Sequence, residues 1–223
     1  MTTNGTIGST RSSTLLYLVR HGETDFNRRG IVQGGGIDSA LNDTGYAQAE
    51  ALADRLADEP VDAIYASTMR RARQTADVLS NPHEPVSKTY LRDLEEMAWG
   101  VFEGEPPSEE RDEAMDAIKR AWRSGEYDRT IEGGESIADV ESRARRAMNH
   151  IVSQEAGNTV VVVTHGRYLR VLLATFLDGY ELTDMAELDH SNTCVNRVAV
   201  TEGRYQAELL NCTAHLASGE SSE

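Results

Sequence analysis

Three stretches of this chain place polar, chemically capable side chains directly after apolar runs. Leu15–Val19 runs into Arg20-His21-Gly22, Val61–Ala66 runs into Ser67-Thr68-Met69-Arg70-Arg71, and Thr159–Thr164 runs into His165-Gly166. Two histidines and a choice of arginines (Arg20, Arg70, Arg71, Arg73) therefore gather at ends of apolar segments. Guanidinium groups fork bidentately onto phosphate oxygens, and a neutral imidazole can act as a nucleophile. Gly22 and Gly166 are expected to let backbone approach a ligand closely, and a helix starting after Gly166 would add N–H donors. The chemistry these residues favour is the handling of a phosphoryl group. There is no Gly-x-x-x-x-Gly-Lys loop for a nucleotide, and no His-x-His or His-Glu-x-x-His pair to begin a zinc site, so no metal is expected.

Taken singly, each feature has an ordinary explanation. Arg-His-Gly can be a turn, Arg70, Arg71 and Arg73 a solvated helix face, and Thr164-His165-Gly166 a helix entry. Their joint placement gives them weight, and that placement depends on the elements carrying them.

The apolar runs at 14–19, 61–66 and 159–164 read as buried strands. Helical spacing marks 43–57, 69–79, 109–125 and 167–177, and Ser136-Ile137-Ala138-Asp139 reads as a capping box opening another helix. Val195–Val200 and Tyr205–Leu210, divided by Glu202-Gly203, read as a closing hairpin. Alternating strands and helices imply an α/β fold: three layers, α/β/α, around a mostly parallel sheet. In such sheets ligands bind at the carboxyl ends of strands. One domain over 14–214 is expected. The charged stretch about 105–132 reads as an insertion over the active site, and 1–13 and 215–223 read as disordered tails. Arg111, Lys119, Arg120, Arg123 and Arg129 in the insertion are candidates for a second anionic group; a salt-bridged surface helix is the plainer reading.

The net charge is −15 in 223 residues, and Lys88 and Lys119 are the only lysines. Such acidity argues against nucleic-acid and anionic-membrane partners. Acidity with so little lysine also points to adaptation to high salt, with an ordinary acidic protein as the alternative. Residues 1–13 lack an apolar centre, so a cytoplasmic location without a signal peptide is expected. Cys194 and Cys212 read as two buried thiols, although their strands could bring them together.

The motifs also carry a resemblance. "LVRHGETDFN" resembles the signature of the histidine phosphatase superfamily, the phosphoglycerate-mutase-like family. "YASTMRRARQTADVL", "LEEMAWGVFEG", "GGES" and "VVVVTHG" follow in that family's order. The resemblance spans Leu15 to Leu210 and implies the phosphoglycerate-mutase-like fold. It implies His21 as the nucleophile, with Arg20 and Arg71 on the phosphoryl oxygens. A protonated His165 would donate to the same oxygens. Glu96 would be the proton donor, chosen over Asp93 and Glu95 because it lies four residues before Gly100. Asn27, Gln33, Gly34 and Gly166 would complete substrate binding. No cofactor is implied. The run Gly34-Gly35-Gly36 departs from the family's shorter path and is expected to loosen the pocket mouth.

The segment between Glu96 and His165 is shorter than in the cofactor-dependent mutases. The resemblance therefore favours a phosphatase acting on a small phosphorylated metabolite. A 2,3-bisphosphoglycerate-dependent phosphoglycerate mutase is the alternative, and a non-catalytic phospholigand-binding protein is a lower one. His83, His150, His190 and His215 read as ordinary histidines. Trp99 and Trp122 read as ordinary packing residues, although either could line the pocket.

Overall fold

Strand β1 (Thr14–Arg20) alternates its side chains between two faces, as period-two geometry requires. Leu16 and Leu18 enter one apolar cluster; Tyr17 and Val19 enter the other. The computed structural model describes residues 13–219. The expected tails 1–12 and 220–223 lie outside the described residues. Residues 214–219 form a 3₁₀ helix, and His215 is buried. The expected disorder of the segment from 215 is therefore corrected over 215–219. His215 Nε2 lies 3.1 Å from Thr193 Oγ1, which ties this end to the loop before a central strand.

The sheet has six strands in the order β3-β2-β4-β1-β5-β6. These are β2 (Ala63–Ser67), β3 (Ser87–Leu91), β4 (Thr159–Thr164), β5 (Val195–Thr201) and β6 (Arg204–Cys212). The first four in that order run parallel; β5 runs antiparallel to β1, and β6 antiparallel to β5. The expected hairpin is present, with Glu202 and Gly203 at φ of 53° and 80°. Strand β3 has no counterpart in the sequence reading. It is an edge strand whose Ser87 and Lys88 face solvent, so it carries no apolar signature.

Helices α2 (Asp43–Leu56) and α3 (Arg70–Ser80) cover one face with Leu52, Leu56, Ala72 and Leu79. A short α1 (Asp25–Arg28) precedes them. On the other face lie α4 (Glu109–Arg123), α5 (Ile137–Gln154) and α6 (Gly166–Phe176). The Ser136 capping box opening α5 is present: Ser136 and Asp139 exchange side-chain to backbone hydrogen bonds. Each fully buried Leu or Val contributes about 1.5–3 kcal/mol to this three-layer packing. Cys194 is buried, whereas Cys212 is only half-buried; both are free thiols.

One topological fact positions the site. Strand β4 lies between β1 and β2, so the carboxyl ends that carry Arg20-His21, Ser67 and His165 are immediate neighbours. Arg20 is in register with Thr164, and the His21 N–H extends the ladder to the Thr164 carbonyl at 3.0 Å. No helix among the described residues is long and apolar enough to cross a membrane.

Candidate active site

Successive residues of a strand point to opposite faces, so Arg20 and His21 part at the end of β1. His21 turns to the α3 side and meets Arg71. Arg20 turns to the α6 side, where its Nη1 donates to the His190 carbonyl at 2.8 Å.

The ring of His21 is held in one tautomer. Nδ1 lies 2.7 Å from the Gly22 carbonyl, a contact that requires an N–H, so the proton is on Nδ1. Nε2 then carries the lone pair and accepts from Arg71 Nε at 3.2 Å. Burial, followed by the charges of Arg71 and Arg20, holds the His21 pKa well below its usual value. The imidazole is neutral, with its free nitrogen beside a guanidinium.

Arg71 is 1 % exposed and rigidly mounted. Its Nη1 donates to the Ile37 carbonyl at 2.8 Å and its Nη2 to the Gly34 carbonyl at 3.1 Å. Burial lowers its pKa to about 10, which leaves it charged at neutral pH. Arg73, by contrast, stacks on Tyr90 away from the site. The four-residue spacing of Ser67, Arg71 and Thr75 acquires a structural meaning. Ser67 Oγ bonds His165 Nε2 at 2.8 Å, Arg71 reaches His21, and Thr75 Oγ1 accepts the Gly22 N–H at 3.1 Å.

Of the three acids in the 93–96 segment, only Glu96 lines the cleft. Asp93 pairs with Arg146 at 2.9 Å, and Glu95 bonds Thr68. Glu96 sits at the start of α6, where its carboxylate accepts from the N–H groups of Met97, Arg167 and Tyr168 at 2.9–3.1 Å. The helix N-terminus thus positions the acid.

Arg20, His21, Arg71 and Glu96 share a cleft of about 190 Å³ with Asn27, Gln33, Gly34 and Gly166. Asn27 is orientated by the α1 capping box: its Oδ1 accepts from Thr24 N and Oγ1. That leaves its Nδ2 donors for the cleft. Gln33 is buried and accepts from Ser39. The glycine run was expected to loosen the mouth; the structure shows it clamped instead. Glu103 accepts from Gly36 N–H at 2.8 Å and from Trp99 N–H at 2.7 Å, clamping the loop. Gly34 has φ of +59°, and a Cβ there would lie 1.9 Å from Glu103 Oε1, so glycine makes room for the clamp.

The structure also places His165, Gly22 and the first N–H groups of α6. His165 stands behind His21, with ring centroids 5.1 Å apart, and does not line the cleft. Burial and the charge of Arg71 hold its pKa well below the usual value in the unliganded site. Its Nδ1 is buried without a hydrogen-bond partner among the described residues, as is Arg20 Nε. Gly22 is required by packing: a Cβ would lie 2.4 Å from the Gly45 carbonyl oxygen of α2. The N–H groups of Arg167 and Tyr168 are taken by Glu96 and are not open for a ligand.

Arg167, Met115 from α4 and His190, expected as an ordinary histidine, also line the cleft, as does Trp99, one of the two tryptophans that could line it. His190 Nδ1 accepts from Arg170 Nε at 2.8 Å; an arginine is always the donor, so the neutral ring carries its proton on Nε2. Burial, with the charges of Arg20 and Arg170, lowers its pKa to about 3. Gly166 lies against this ring: a Cβ there would come within 2.6 Å of His190 Nε2. The one available signal for Arg167 was its place directly after Gly166, at a helix start on a strand end. His190 had none, because it arrives from a loop.

A sheet with adjacent carboxyl ends bearing Arg-His, Arg and His defines a phosphoryl-handling α/β protein. The family model of the histidine phosphatase superfamily (branch 1) matches residues 16–213, and the chain belongs to that superfamily. It is an enzyme of that class. It is 34 % identical over 208 residues to a metal-independent phosphoserine phosphatase of Arabidopsis thaliana, covering 92 % of this chain and 84 % of the relative. Its fold matches YhfR of Bacillus stearothermophilus with a TM-score of 0.80 and 31 % identity, covering 91 % and 99 % of the two chains. It also matches a phosphoserine phosphatase of Entamoeba histolytica solved with phosphoserine, with a TM-score of 0.78, 27 % identity, and 91 % and 99 % coverage.

Proposed function

We propose that the protein hydrolyses a small phosphomonoester through a phosphohistidine on His21. The carrying observation is the His21 ring itself: its proton is held on Nδ1 by the Gly22 carbonyl, and its Nε2 lone pair is held at the cleft by Arg71. In the first step Nε2 bonds to phosphorus, the ester P–O bond breaks, and Glu96 gives a proton to the leaving oxygen. Arg71 Nε then moves from Nε2 to a phosphoryl oxygen, joined by Arg20 and Asn27. In the second step Glu96 takes a proton from water, the water oxygen bonds to phosphorus, and the P–N bond breaks. His165, bonded to Ser67, would support the His21 ring from behind. Gln33, Gly34 and Gly166 shape the mouth.

Phosphoserine phosphatase relatives support a substrate of this size and charge. The reading takes 14–214 as one domain with the 105–132 stretch covering the site; Met115 in the cleft wall supports that cover. A cytoplasmic setting and salt adaptation are part of the same proposal, resting on the net charge of −15. A melting curve in molar KCl is expected to lie above one in dilute buffer, and the reverse order refutes salt adaptation.

The decisive experiment is His21→Ala with p-nitrophenyl phosphate. Turnover is expected to vanish, and the wild type is expected to yield an acid-labile, denaturation-stable phosphoenzyme. Full activity in His21→Ala ends the mechanism.

A further inference from the structure

The GGES stretch takes no part in the mechanism above, yet the structure ties it to the segment that carries Glu96. Glu135 stands just before the Ser136 cap, and Arg143 lies two turns into α5. Arg143 is 8 % exposed, and its guanidinium forks onto the Glu135 carboxylate, Nε to Oε1 at 2.9 Å and Nη2 to Oε2 at 3.1 Å. Its Nη1 donates to two backbone carbonyls, Glu95 at 2.5 Å and Asp93 at 3.3 Å. The Glu135 carboxylate in turn accepts the Ala98 N–H at 2.9 Å, and the Glu135 N–H donates to the Ala98 carbonyl at 2.9 Å.

These bonds bracket one residue. The Glu95 carbonyl belongs to the peptide that enters Glu96, and the Ala98 N–H lies two residues beyond it. Arg143 Cζ also lies over the Tyr168 ring, 4.9 Å from its centre, and the Tyr168 N–H is one of the three donors to the Glu96 carboxylate. One guanidinium therefore meets the main chain before Glu96, reaches the main chain after it through Glu135, and packs on a residue that receives its side chain. Arg146, three residues on, is the contrast: it is exposed and pairs with the Asp93 carboxylate at 2.9 Å.

A buried ion pair is a weak source of net stability, because desolvating both charges offsets their attraction. What it supplies here is geometry, a planar fork fixed by a carboxylate on one side and by carbonyls on the other. A proton donor has to lie within hydrogen-bond reach of the atom it protonates, and a displacement of about 1 Å costs about 10²-fold in rate.

We propose that Arg143, paired with Glu135, is a positioning residue for proton transfer: it holds the main chain on both sides of Glu96 and so aims that carboxyl at the leaving oxygen. The proposal rests on the phosphatase reading above and adds to it the pair that acts through Glu96. Neither Arg143 nor Glu135 lines the cleft.

The test separates proton donation from general damage by comparing phenyl phosphate with p-nitrophenyl phosphate. The two esters have similar shapes, and phenolate needs a proton more than p-nitrophenolate does. The quantity compared is kcat/KM, which covers only the steps up to the phosphohistidine. Arg143→Lys keeps a cation and loses the fork. It is expected to lower kcat/KM by about tenfold or more for phenyl phosphate and by no more than about threefold for p-nitrophenyl phosphate. In a Glu96→Gln background no acid remains to be aimed, so adding Arg143→Lys is expected to change phenyl phosphate kcat/KM by less than about twofold. Arg146→Ala is expected to leave both substrates unchanged. Equal losses on the two esters, no loss on either, or an undiminished loss in the Glu96→Gln background would overturn the proposal. Should Arg143→Lys fail to fold, Glu135→Gln is held to the same outcomes; it keeps an acceptor for the Ala98 N–H and breaks the ion pair. Absence of p-nitrophenyl phosphate turnover in the wild type counts instead against the phosphatase reading. A crystal structure of the same variant then decides the positioning alone. The Glu96 carboxylate is expected to leave the Arg167 and Tyr168 N–H groups, and an unmoved carboxylate refutes the role of the pair.

Discussion

Arg71 donates its Nε–H to the Nε2 of His21 at 3.2 Å, so the nitrogen proposed to attack phosphorus is held by a cation until substrate arrives. The same guanidinium is anchored on the Gly34 and Ile37 carbonyls. Three bonds from one planar group define its position, and a lysine ammonium cannot reproduce that fork. Arg71→Lys is therefore expected to lower kcat/KM for p-nitrophenyl phosphate by about 10²–10³, the size of losing one preorganised charge-stabilising donor. Activity within threefold of wild type would show that charge alone suffices there.

Ser67 is placed by sequence four residues before Arg71 and by structure against His165, at 2.8 Å. It also accepts the Met69 N–H at 3.2 Å, which ends β2. Ser67→Ala is expected to cost about 1–3 kcal/mol of stability, because it strands buried polar groups. It should also reduce kcat more than it raises KM, since the ring behind His21 loses its tether. A Ser67→Thr variant keeps the hydroxyl and is expected to recover most of the rate. A loss of stability with kcat intact would make Ser67 purely structural.

How much of this was readable beforehand depends on how far each residue's signal is local. The run Leu15–Val19 announces β1 because Leu16–Val19 is buried on both faces, and the polar pair after it stands out. Helix α3 is legible from its spacing, yet Arg71 could be told from Arg70 and Arg73 only by resemblance; in space the distinction is burial. Strand β3 was missed because edge strands need no apolar alternation. The clamp on Gly34 and Gly36 by Glu103 joins segments 67 residues apart, so the glycine run alone read as looseness. His190, Trp99, Trp122 and Arg167 come from four separate segments and have no local signature.

That clamp makes a prediction at Gly34. A methyl group there meets Glu103 Oε1 at 1.9 Å and also requires φ of +59°. Gly125 has φ of +90° with nothing within 4 Å of a Cβ, so Gly125→Ala isolates the backbone cost. Gly125→Ala is expected to lose about 1 kcal/mol. Gly34→Ala is expected to lose more and to raise KM, because the Gly34 carbonyl that holds Arg71 shifts with the loop. Equal effects of the two substitutions on Tm and KM would remove Glu103 from the account.

Stability should depend on pH in a way set by buried neutral histidines. His21 and His165 have pKa values held well below the usual 6.5, and those of His190 and His215 fall to about 3 and about 4. Burial is the first cause in all four. Above pH 6.5 each ring is neutral both folded and unfolded and contributes no pH dependence. Below it the unfolded chain takes up protons that the folded one refuses, so folding stability is lost as pH falls. Each fully refusing histidine adds a slope of up to about 1.4 kcal/mol per pH unit, and four together make the decline steep. Urea unfolding between pH 8 and pH 5 is expected to give a midpoint that is nearly flat down to pH 6.5 and then drops. A midpoint that stays level to pH 5 would mean that these rings take protons in the folded state, and with that the neutral, lone-pair-bearing His21 would be lost.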